Sequence, residues 1–315
     1  MEFASDHGSA MQTIDVADDA RHRPPAGADG RWQESWFLSW YDPLHRAGGF
    51  HHIGLAPLRG TADLWHWVAL DGAVAARFHD LRLPIPDDDL PDLQLGPVHV
   101  QTKVPLRSYS LRTEHEGFRS EALYESFTEP FEFAIDAPGA DIGKGHFESL
   151  GQVRATIETS DGTVETGGLA YHDHSWGPRE YGALKAHRWA CVSFGDDLFA
   201  SVFSFSTDEG RRDFGYVYDD GAFHGVRAAE FDARVANDGH TPRGCDLRVW
   251  TTDGRGYRFV CRDIDVASPG AHNDGFFVTD GFGVFECGGR LGTGLLEINE
   301  RAAPSPEHRS WLNLD

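Results

Sequence analysis

The segment of residues 172–181, His-Asp-His-Ser-Trp-Gly-Pro-Arg-Glu-Tyr, brings together the side chains of this chain that are most capable of chemistry. Two imidazoles, two carboxylates, a hydroxyl, a guanidinium and two aromatic rings lie within ten residues. An apolar, glycine-rich stretch at 167–171 precedes them and is typical of a buried strand. Proton-transfer groups beside aromatic surface indicate a functional site.

Alternation divides this segment into two faces if residues 170–175 are extended, because successive side chains of a strand point to opposite sides. One face then carries His172, His174 and Trp176. The other face carries Tyr171, Asp173 and Ser175.

Two imidazoles on one face of a strand can bind a metal ion. His172 and His174, followed by Glu180, resemble the pattern by which cupin barrels hold iron, manganese or zinc. The spacing to Glu180 is longer than in that pattern, and Pro178 would bend the chain between them; a third imidazole would have to come from elsewhere, such as His187. The alternative is that these histidines are hydrogen-bonded groups of the core.

Asp173 is the candidate general acid. Adding water to an alkene, removing it, or cyclising a polyene needs a strong acid in a dry pocket, with aromatic faces that stabilise the developing cation. Asp173, Trp176 and Trp189 supply those residue types. Burial would raise the pKa of Asp173 and Arg179 nearby would lower it, so the sequence leaves its protonation state open. The structural alternative is a buried ion pair between Asp173 and Arg179.

Two other pieces of the sequence carry groups that could join the site. His146 and Glu148 open the strand that leads to the segment, and Glu297 and Asn299 share one face of a late strand. Charged side chains inside a barrel are costly unless they are paired or functional. For Glu300 we expect the simpler explanation, a solvated position on an edge strand.

The composition favours β-structure and argues against several partners. The 315 residues include 21 Phe, 9 Trp, 8 Tyr and 36 Gly, which suits short strands broken by turns. The net charge of −22 argues against nucleic acid or an anionic membrane surface as partner. The four cysteines form no Cys-x-x-Cys pair, and neither a secretory signal nor an apolar run of about 20 residues is present. We therefore expect a cytoplasmic protein with reduced thiols.

Two common classes of site find no support in the sequence. It has no Gly-x-Ser-x-Gly nucleophile elbow and no cysteine in a nucleophile context. The pairs Gly281-x-Gly283 and Gly292-x-Gly294 lie among strands, so they indicate bends of a barrel and not a nucleotide-binding turn.

Short strands at hairpin spacing predict an all-β protein. In the first half we predict strands at 32–42, 49–55, 64–70, 98–103, 108–114, 118–125, 131–135, 152–159 and 170–175. In the second half we predict strands at 187–195, 197–206, 214–218, 246–252, 257–263, 282–287 and 294–300, with short turns of helix at 42–47 and 307–312. This pattern favours two antiparallel barrels packed together over one very large barrel. The predicted divisions are a disordered tail (1–30), an N-terminal barrel (31–182) and a C-terminal barrel (183–315).

The chain resembles the carotenoid 1,2-hydratase-like, or hydroxyneurosporene synthase-like, superfamily of two-domain lipocalin-like (calycin) proteins. The most specific part of the resemblance is Asp-His-Ser-Trp-Gly-Pro-Arg at 173–179. His146-Phe147-Glu148, the paired glycines at 167–168 and Glu297 add to it, and the rest is architectural over 32–300. The superfamily includes hydroxyneurosporene synthase, tocopherol cyclase-like proteins, hydratases of prenylated phenolics and fungal Diels–Alderases.

The resemblance implies two lipocalin-like barrels and an enzyme without cofactor or metal. Its substrate would be apolar, often isoprenoid, and would lie in a cavity within or between the barrels for hydration, dehydration, isomerisation or cyclisation. Asp173 would be the acid, His174 its orienting or proton-relaying partner, and Arg179 the group that fixes the carboxylate. The remaining expected site residues are Glu148 and Glu297 as catalytic groups, and Trp176, Tyr171, Trp189, His146, Trp40 and Asn299 as substrate contacts.

Two alternatives come from different classes of protein. A lipocalin-like carrier would bind a hydrophobic ligand without transforming it, and a cupin-like enzyme would use a metal ion held by His172, His174 and Glu180. Asp173→Asn should spare a carrier's binding and should lower an acid-catalysed turnover by orders of magnitude. We expect a hydrophobic small molecule as partner, no nucleic acid and no transmembrane segment, and we allow for a homodimer.

Overall fold

Two antiparallel sheets account for most of the structure. The computed structural model of the chain describes residues 14–87, 91–132, 134–135, 137–268, 271–273, 276–301 and 312–314. These residues also include two short 3-10 helices, Val16–Asp19 and Tyr181–Ala183. Within the same residues, no helix has the length and apolar character that crossing a membrane requires.

The first sheet forms a nearly closed barrel. Its strands are β1 (Trp32–Asp42), β2 (Ala47–Ala56), β3 (Thr61–Leu70), β4 (Ala73–Pro84), β5 (Asp92–Leu95), β6 (Val98–Val104), β7 (Ser108–His115), β8 (Phe118–Ser126), β9 (Phe131–Glu132), β10 (Gly145–Thr159) and β11 (Gly162–Pro178). Their spatial order is β4-β3-β2-β1-β11-β10-β8-β7-β6-β5, with β9 paired to β10. The strand β11 therefore lies between β1 and β10, in the middle of the sheet.

The second sheet forms a closed barrel. Its strands are β12 (Ala186–Ser193), β13 (Leu198–Thr207), β14 (Gly210–Asp219), β15 (Ala222–Val235), β16 (Pro242–Thr251), β17 (Gly256–Ala267), β18 (Ala271–Asn273), β19 (Phe276–Cys287), β20 (Arg290–Arg301) and β21 (Leu312–Leu314). The order β14-β13-β12-β20-β19-β17-β16-β15 is closed by pairing of β14 with β15. The prediction of an all-β fold with two antiparallel barrels is confirmed.

The predicted strands and the observed strands differ in a few places. The strand predicted at 32–42 coincides with β1, whereas the long strands β4 and β15 and the short strands β5, β18 and β21 were not predicted. The strand predicted at 131–135 is only the short β9. The helical turn predicted at 42–47 is a hydrogen-bonded turn between β1 and β2, and the one at 307–312 lies almost wholly outside the described residues.

The N-terminal segment packs against the first barrel from residue 14 onward. Asp19 is buried, and its carboxylate accepts hydrogen bonds from the Tyr109 hydroxyl and, at 3.2 Å, from the Leu106 backbone N–H. The backbone N–H of His22 donates to Glu34 on β1. These polar anchors correct the prediction of a disordered tail for residues 14–30, while residues 1–13 lie outside the described residues. The predicted boundary at 182/183 falls in the connection between β11 and β12, and the two-domain division stays a prediction.

Three apolar clusters hold the barrels together. One fills the first barrel, one fills the second, and the third lies between them and contains residues of both sheets. In this shared layer the rings of Phe37 and Trp189 are 5.4 Å apart and those of Tyr41 and Phe282 are stacked at 5.5 Å. Aromatic rings remove a large apolar area from water, so this layer stabilises the pairing of the two barrels.

Gly168 permits a close approach of β11 to β1. A Cβ at this position would lie 2.0 Å from the backbone carbonyl oxygen of Tyr41. Because the backbone of a paired strand cannot step aside, we expect Gly168→Ala to lower the free energy of unfolding by at least about 1–3 kcal/mol. Gly182→Ala is the matched control, since a Cβ there meets nothing within 4 Å. Denaturant unfolding of both variants measures the difference, and equal stability would contradict the close approach.

Candidate functional site

A cavity of about 200 Å³ lies between the two barrels. Both sheets contribute to its walls. The aromatic part of the lining consists of Phe37, Phe50, Trp65, Tyr181, Trp189, Phe203 and Phe205. An apolar enclosure with a few polar groups is the usual form of a small-molecule site, so the position of each polar group matters.

The wall from the first barrel carries Asp173 and His52 in one row of cross-strand partners. His52 on β2 lies opposite Phe37 on β1, and Phe37 lies opposite Asp173 on β11. Directly paired residues point to the same face of a sheet. His52 and Asp173 therefore flank the Phe37 ring at the cavity wall. The next partner in the row is Glu148 on β10.

Asp173 has the properties of a carboxyl group that titrates near neutral pH. Burial raises its pKa to about 7, although the His52 charge, the Tyr171 hydroxyl and the Arg179 charge each lower it. Its carboxyl group lines the cavity. A pKa near the working pH is the condition under which a carboxyl group can both give and take a proton.

His52 and Asp63 form an ion pair beside that acid. The Nδ1 atom of His52 lies 3.3 Å from Oδ2 of Asp63, and both residues line the cavity. Burial alone would lower the pKa of His52, but the charges of Asp63, Asp173 and Glu297 raise it above its ordinary value. These carboxylates favour the charged form of the His52 imidazole, and the positive charge of that form stabilises the carboxylate of Asp173.

The wall from the second barrel carries a pair of buried carboxyl groups. Glu297 on β20 lies opposite Asp280 on β19, and Asn299 donates a hydrogen bond of 2.6 Å to Oε1 of Glu297. Burial raises the pKa of Asp280 well above its ordinary value, with a further contribution from the Glu297 charge. Burial also raises the pKa of Glu297. Burial and mutual repulsion therefore favour the protonated form in this pair of carboxyl groups.

His187 is a neutral imidazole on the same wall. Burial, together with the Arg188 charge, lowers its pKa to about 3. Its Nδ1 atom lies 3.0 Å from Nδ2 of Asn299, and its Nε2 atom has no hydrogen-bond partner among the described residues. Nδ1 also lies 3.2 Å from Oε1 of Glu297. When the Asn299 amide donates to Nδ1, the ring hydrogen is on the buried Nε2 atom.

Glu148 lies behind the cavity wall. It is fully buried, and it accepts hydrogen bonds from the Tyr216 hydroxyl and, at 3.4 Å, from Ser201. Burial and the Asp173 charge raise its pKa well above the ordinary value. His146 lines the cavity with Nε2 at 3.4 Å from Glu148, so the histidine separates this carboxyl group from a ligand. Tyr171 is likewise buried in the layer between the barrels and is not a lining residue.

Arg179 acts on Asp173 through its charge. Its guanidinium donates to Oγ of Ser175 at 2.9 Å and to the carbonyl oxygen of Ile142 at 2.8 Å. It lines the cavity, and its charge lowers the pKa of Asp173. The direct Asp173–Arg179 ion pair considered from the sequence is not among the ion pairs of the described residues.

Three predicted site residues, His174, Trp176 and Trp40, lie on the faces of β11 and β1 that point away from the cavity. The Nε2 atom of His174 is 2.8 Å from Glu34, and the Trp176 ring stacks on His22 with centroids 3.6 Å apart. Trp40 belongs to the core of the first barrel. We predicted that His174 relays protons to Asp173 and that Trp176 and Trp40 contact the substrate. The structure places none of these three side chains in the lining of the cavity. Alternation puts His174 and Trp176 on the face opposite Asp173.

The cupin-like arrangement does not assemble. The Nδ1 atom of His172 donates to the backbone carbonyl oxygen of Phe37 at 2.7 Å, inside the first barrel. Glu180 forms a surface ion pair with Arg31. His172 is therefore a hydrogen-bonded core residue. This is the alternative to metal binding that the sequence analysis left open.

Glu300 is a buried partner and not a solvated edge residue. Its carboxylate pairs with Arg188 of the neighbouring strand β12 inside the second barrel. Arg188 is fully buried and also donates to the carbonyl oxygens of His187 and Asn299. The expectation for Glu300 was wrong because β20 lies between β12 and β19, away from any sheet edge.

The structure brings to the site five polar residues that are not among the catalytic and substrate-contact residues expected above, although Tyr181 belongs to the 172–181 segment and His187 was considered as a third metal ligand. They are His52, Asp63, Tyr181, His187 and Asp280, of which all but Asp280 line the cavity. The signal for His52 was present in alternation along β2, which turns His51 into the barrel and His52 away from it. Asp280 becomes recognisable only when its partner across the strand is known to be Glu297.

Three solved structures share this fold at low sequence identity. A candidate AttH from Nitrosomonas europaea is 13% identical with a TM-score of 0.57, over 85% of this chain and 92% of its own. Kievitone hydratase from Nectria haematococca is 9% identical with a TM-score of 0.59, over 86% and 89%. CghA is 12% identical with a TM-score of 0.56, over 87% and 89%, and has also been solved with Sch210972. These likenesses show that the chain shares the two-barrel fold of these proteins.

A family model extends over nearly the whole chain. No curated protein matches the sequence. The family described as "Domain of unknown function (DUF7064)" matches residues 15–302, which includes the packed N-terminal segment and both barrels. The chain therefore belongs to the DUF7064 family.

Proposed function

We propose that this protein is an acid–base enzyme that hydrates, dehydrates, isomerises or cyclises an apolar small molecule, with Asp173 as the general acid. The observation that carries the proposal is the position of Asp173, whose pKa of about 7 belongs to a carboxyl group facing an aromatic-lined cavity. The resemblance to the carotenoid 1,2-hydratase-like superfamily adds an isoprenoid-type substrate and a reaction without cofactor.

Protonation of a substrate double bond is the step that Asp173 supports. The carboxyl proton passes to one alkene carbon, and the rings of Phe37 and Trp189 face the cation that develops at the other. The carboxylate that remains is stabilised by the imidazolium of His52. In hydration, water adds to the cation and returns a proton to Asp173. In isomerisation, the same carboxylate removes a proton from the carbon on the other side of the cation. In dehydration, Asp173 instead protonates the hydroxyl oxygen of an alcohol substrate, the C–O bond breaks with loss of water, and the carboxylate then removes a proton from the carbon next to the cation.

His187 supplies a second contact from the opposite wall. Its neutral ring can donate the Nε2 hydrogen to a substrate oxygen, with Asn299 fixing the ring through Nδ1. Because its pKa is about 3, it does not become charged in the range where Asp173 titrates. A substrate with an apolar body and one oxygen function fits an aromatic cavity with these two polar ends.

The structural neighbours are consistent with this class of function. One carries the name of a hydratase, and CghA has been solved with a bound small molecule, Sch210972. Their identities of 9% and 12% limit that support to the fold. The residues Asp173, His52 and His187 therefore carry the proposal for this chain.

The pH dependence of turnover tests Asp173 as the acid. Because the acid must be protonated, kcat/KM is expected to be constant below its pKa of about 7 and to fall about tenfold per pH unit above it. The assay incubates the protein with a panel of monoterpenoid, sesquiterpenoid, sterol and carotenoid alcohols and alkenes. Products are followed by mass spectrometry in D₂O, which labels the protonated carbon.

Three other outcomes would overturn the proposal. Ligands that bind and are recovered unchanged and unlabelled would identify a carrier. Turnover that depends on an added metal ion and is lost with a chelator would identify a metal enzyme. A rate that rises through pH 7 would show that the carboxylate of Asp173, and not its acid form, is required.

A further inference from the structure

The face of β11 opposite Asp173 carries a second group of polar side chains. His174 on β11 and Glu34 on β1 are buried, and His22 of the N-terminal segment covers them. One carboxylate oxygen, Oε1 of Glu34, lies 2.8 Å from Nε2 of His174 and 2.9 Å from Nδ1 of His22. None of these three residues lines the cavity between the barrels.

We propose that His22, Glu34 and His174 form a binding site for one divalent transition-metal ion, of which zinc is the best match. Two imidazole nitrogens and one carboxylate oxygen are a common ligand set for zinc, with one position left for water. The three ligand atoms lie within 4.8 Å of one another. Around a tetrahedral zinc ion such atoms are about 3.3–3.5 Å apart, so movements of roughly 0.5–1 Å complete the site.

The neighbouring contacts already orient the ligands. The backbone N–H of His22 donates to both carboxylate oxygens of Glu34, at 3.0 Å to Oε1 and at 2.9 Å to Oε2, and so holds the carboxylate with Oε1 between the two imidazoles. The Nε2 atom of His22 lies 3.6 Å from the Asp18 carboxylate, and the Trp176 ring stacks on His22. A carboxylate behind a ligating histidine is a recurrent feature of zinc sites, because it holds the hydrogen on the nitrogen that does not bind metal.

Binding of the ion would displace the hydrogens that the ring nitrogens of His22 and His174 donate to Glu34. In the hydrogen-bonded state Glu34 accepts from both imidazoles, so each donating nitrogen carries a hydrogen. To bind the ion those nitrogens must be free of hydrogen, and for His22 the hydrogen moves to Nε2, beside Asp18. Metal affinity is therefore expected to rise with pH and to be weakened by acid.

The location gives the ion a structural consequence. Glu34 and His174 belong to the first barrel, and His22 belongs to the segment that precedes β1. An ion bound by all three would join that segment to the barrel. A ligand that binds only the folded state raises the unfolding temperature by mass action. This site is independent of the proposed reaction, because Asp173 faces the other side of β11.

The test uses the full-length protein freed of metal with a chelator and titrated with ZnCl₂ or CoCl₂. We expect one ion per chain by elemental analysis after gel filtration, a visible cobalt absorption typical of tetrahedral coordination, and a higher unfolding temperature with zinc. His22→Gln is expected to lower the affinity at least about 100-fold, and Asp18→Asn about 10–100-fold. His22 is partly exposed, with 19% of its side chain accessible, so its replacement should leave the barrels folded.

The matched control is His99→Gln. His99 also contacts a carboxylate, that of Asp92, but it lies outside the proposed site. The chain has 17 histidines, so weak surface binding must be separated from a built site. Equal loss of metal in the His22 and His99 variants would show an adventitious ion only and overturn the proposal. A lower unfolding temperature in His22→Gln that does not depend on zinc would also overturn it, because hydrogen bonds alone would then hold the segment.

Discussion

Asp173→Asn is expected to lower turnover by roughly 10²–10⁴-fold and to change ligand affinity only a few-fold. Asparagine keeps the size and the hydrogen-bonding capacity of the side chain, but it has no proton to give near neutral pH. The cavity lining is otherwise unchanged, so a ligand should still bind against Trp189 and Phe37. Single-turnover kinetics gives the chemical step, and quenching of tryptophan fluorescence gives the affinity.

The control for this substitution is Asp161→Asn. Asp161 is exposed in the turn between β10 and β11, at the far end of the strand that carries Asp173. Its replacement is expected to leave both turnover and binding unchanged. If Asp173→Asn turns over as fast as the parent protein, Asp173 is not the acid. If it loses binding as well as turnover, the carboxyl group is a binding or structural group.

Glu300→Ala is expected to lower the free energy of unfolding by about 3–5 kcal/mol. The substitution leaves the guanidinium of Arg188 fully buried in the second barrel without its carboxylate. Removing a charge from water without a counter-charge costs several kcal/mol, even though the intact pair contributes little net stability. Denaturant unfolding monitored by circular dichroism measures the loss.

Two further variants separate the loss of the Glu300 carboxylate from general damage to the second barrel. The double substitution Arg188→Met with Glu300→Leu removes both charges and is expected to recover most of the stability. Glu125→Ala breaks an exposed cross-strand pair with Arg154 and is expected to cost no more than about 1 kcal/mol. A double variant as unstable as Glu300→Ala would contradict the account, since volume and packing would then explain the loss.

Alternation and turn signals were sufficient for much of the fold. Residues of β1 are aromatic or polar in alternation, and the Asp71-Gly72 and Ser160-Asp161-Gly162 turns mark hairpins, so strand type and the all-β class follow locally. The strands β4 and β15 were missed for a physical reason. They are rich in alanine, arginine and other residues with weak strand preference, and they form because neighbouring strands pair with them.

The candidate site was predictable only within single strands. Alternation along β11 correctly separated Asp173 from His172 and His174, but it could not indicate which face meets the cavity. The placement of Asp173 in one row with His52, and of Glu297 opposite Asp280, depends on the register between strands. Register follows from turn geometry and from packing of the whole sheet, so a single strand does not determine it.

The two faces of β11 limit how this segment can change in evolution. His172 and His174 lie in the interior of the first barrel, and Asp173 and Ser175 lie at the cavity. Loss or gain of a single residue here would exchange all of these positions at once, placing a carboxyl group among core aromatics and an imidazole in the cavity. A substitution in β11 changes only one side chain at a time. Insertions and deletions move every side chain of the strand, so we expect them only in the turn at 160–161.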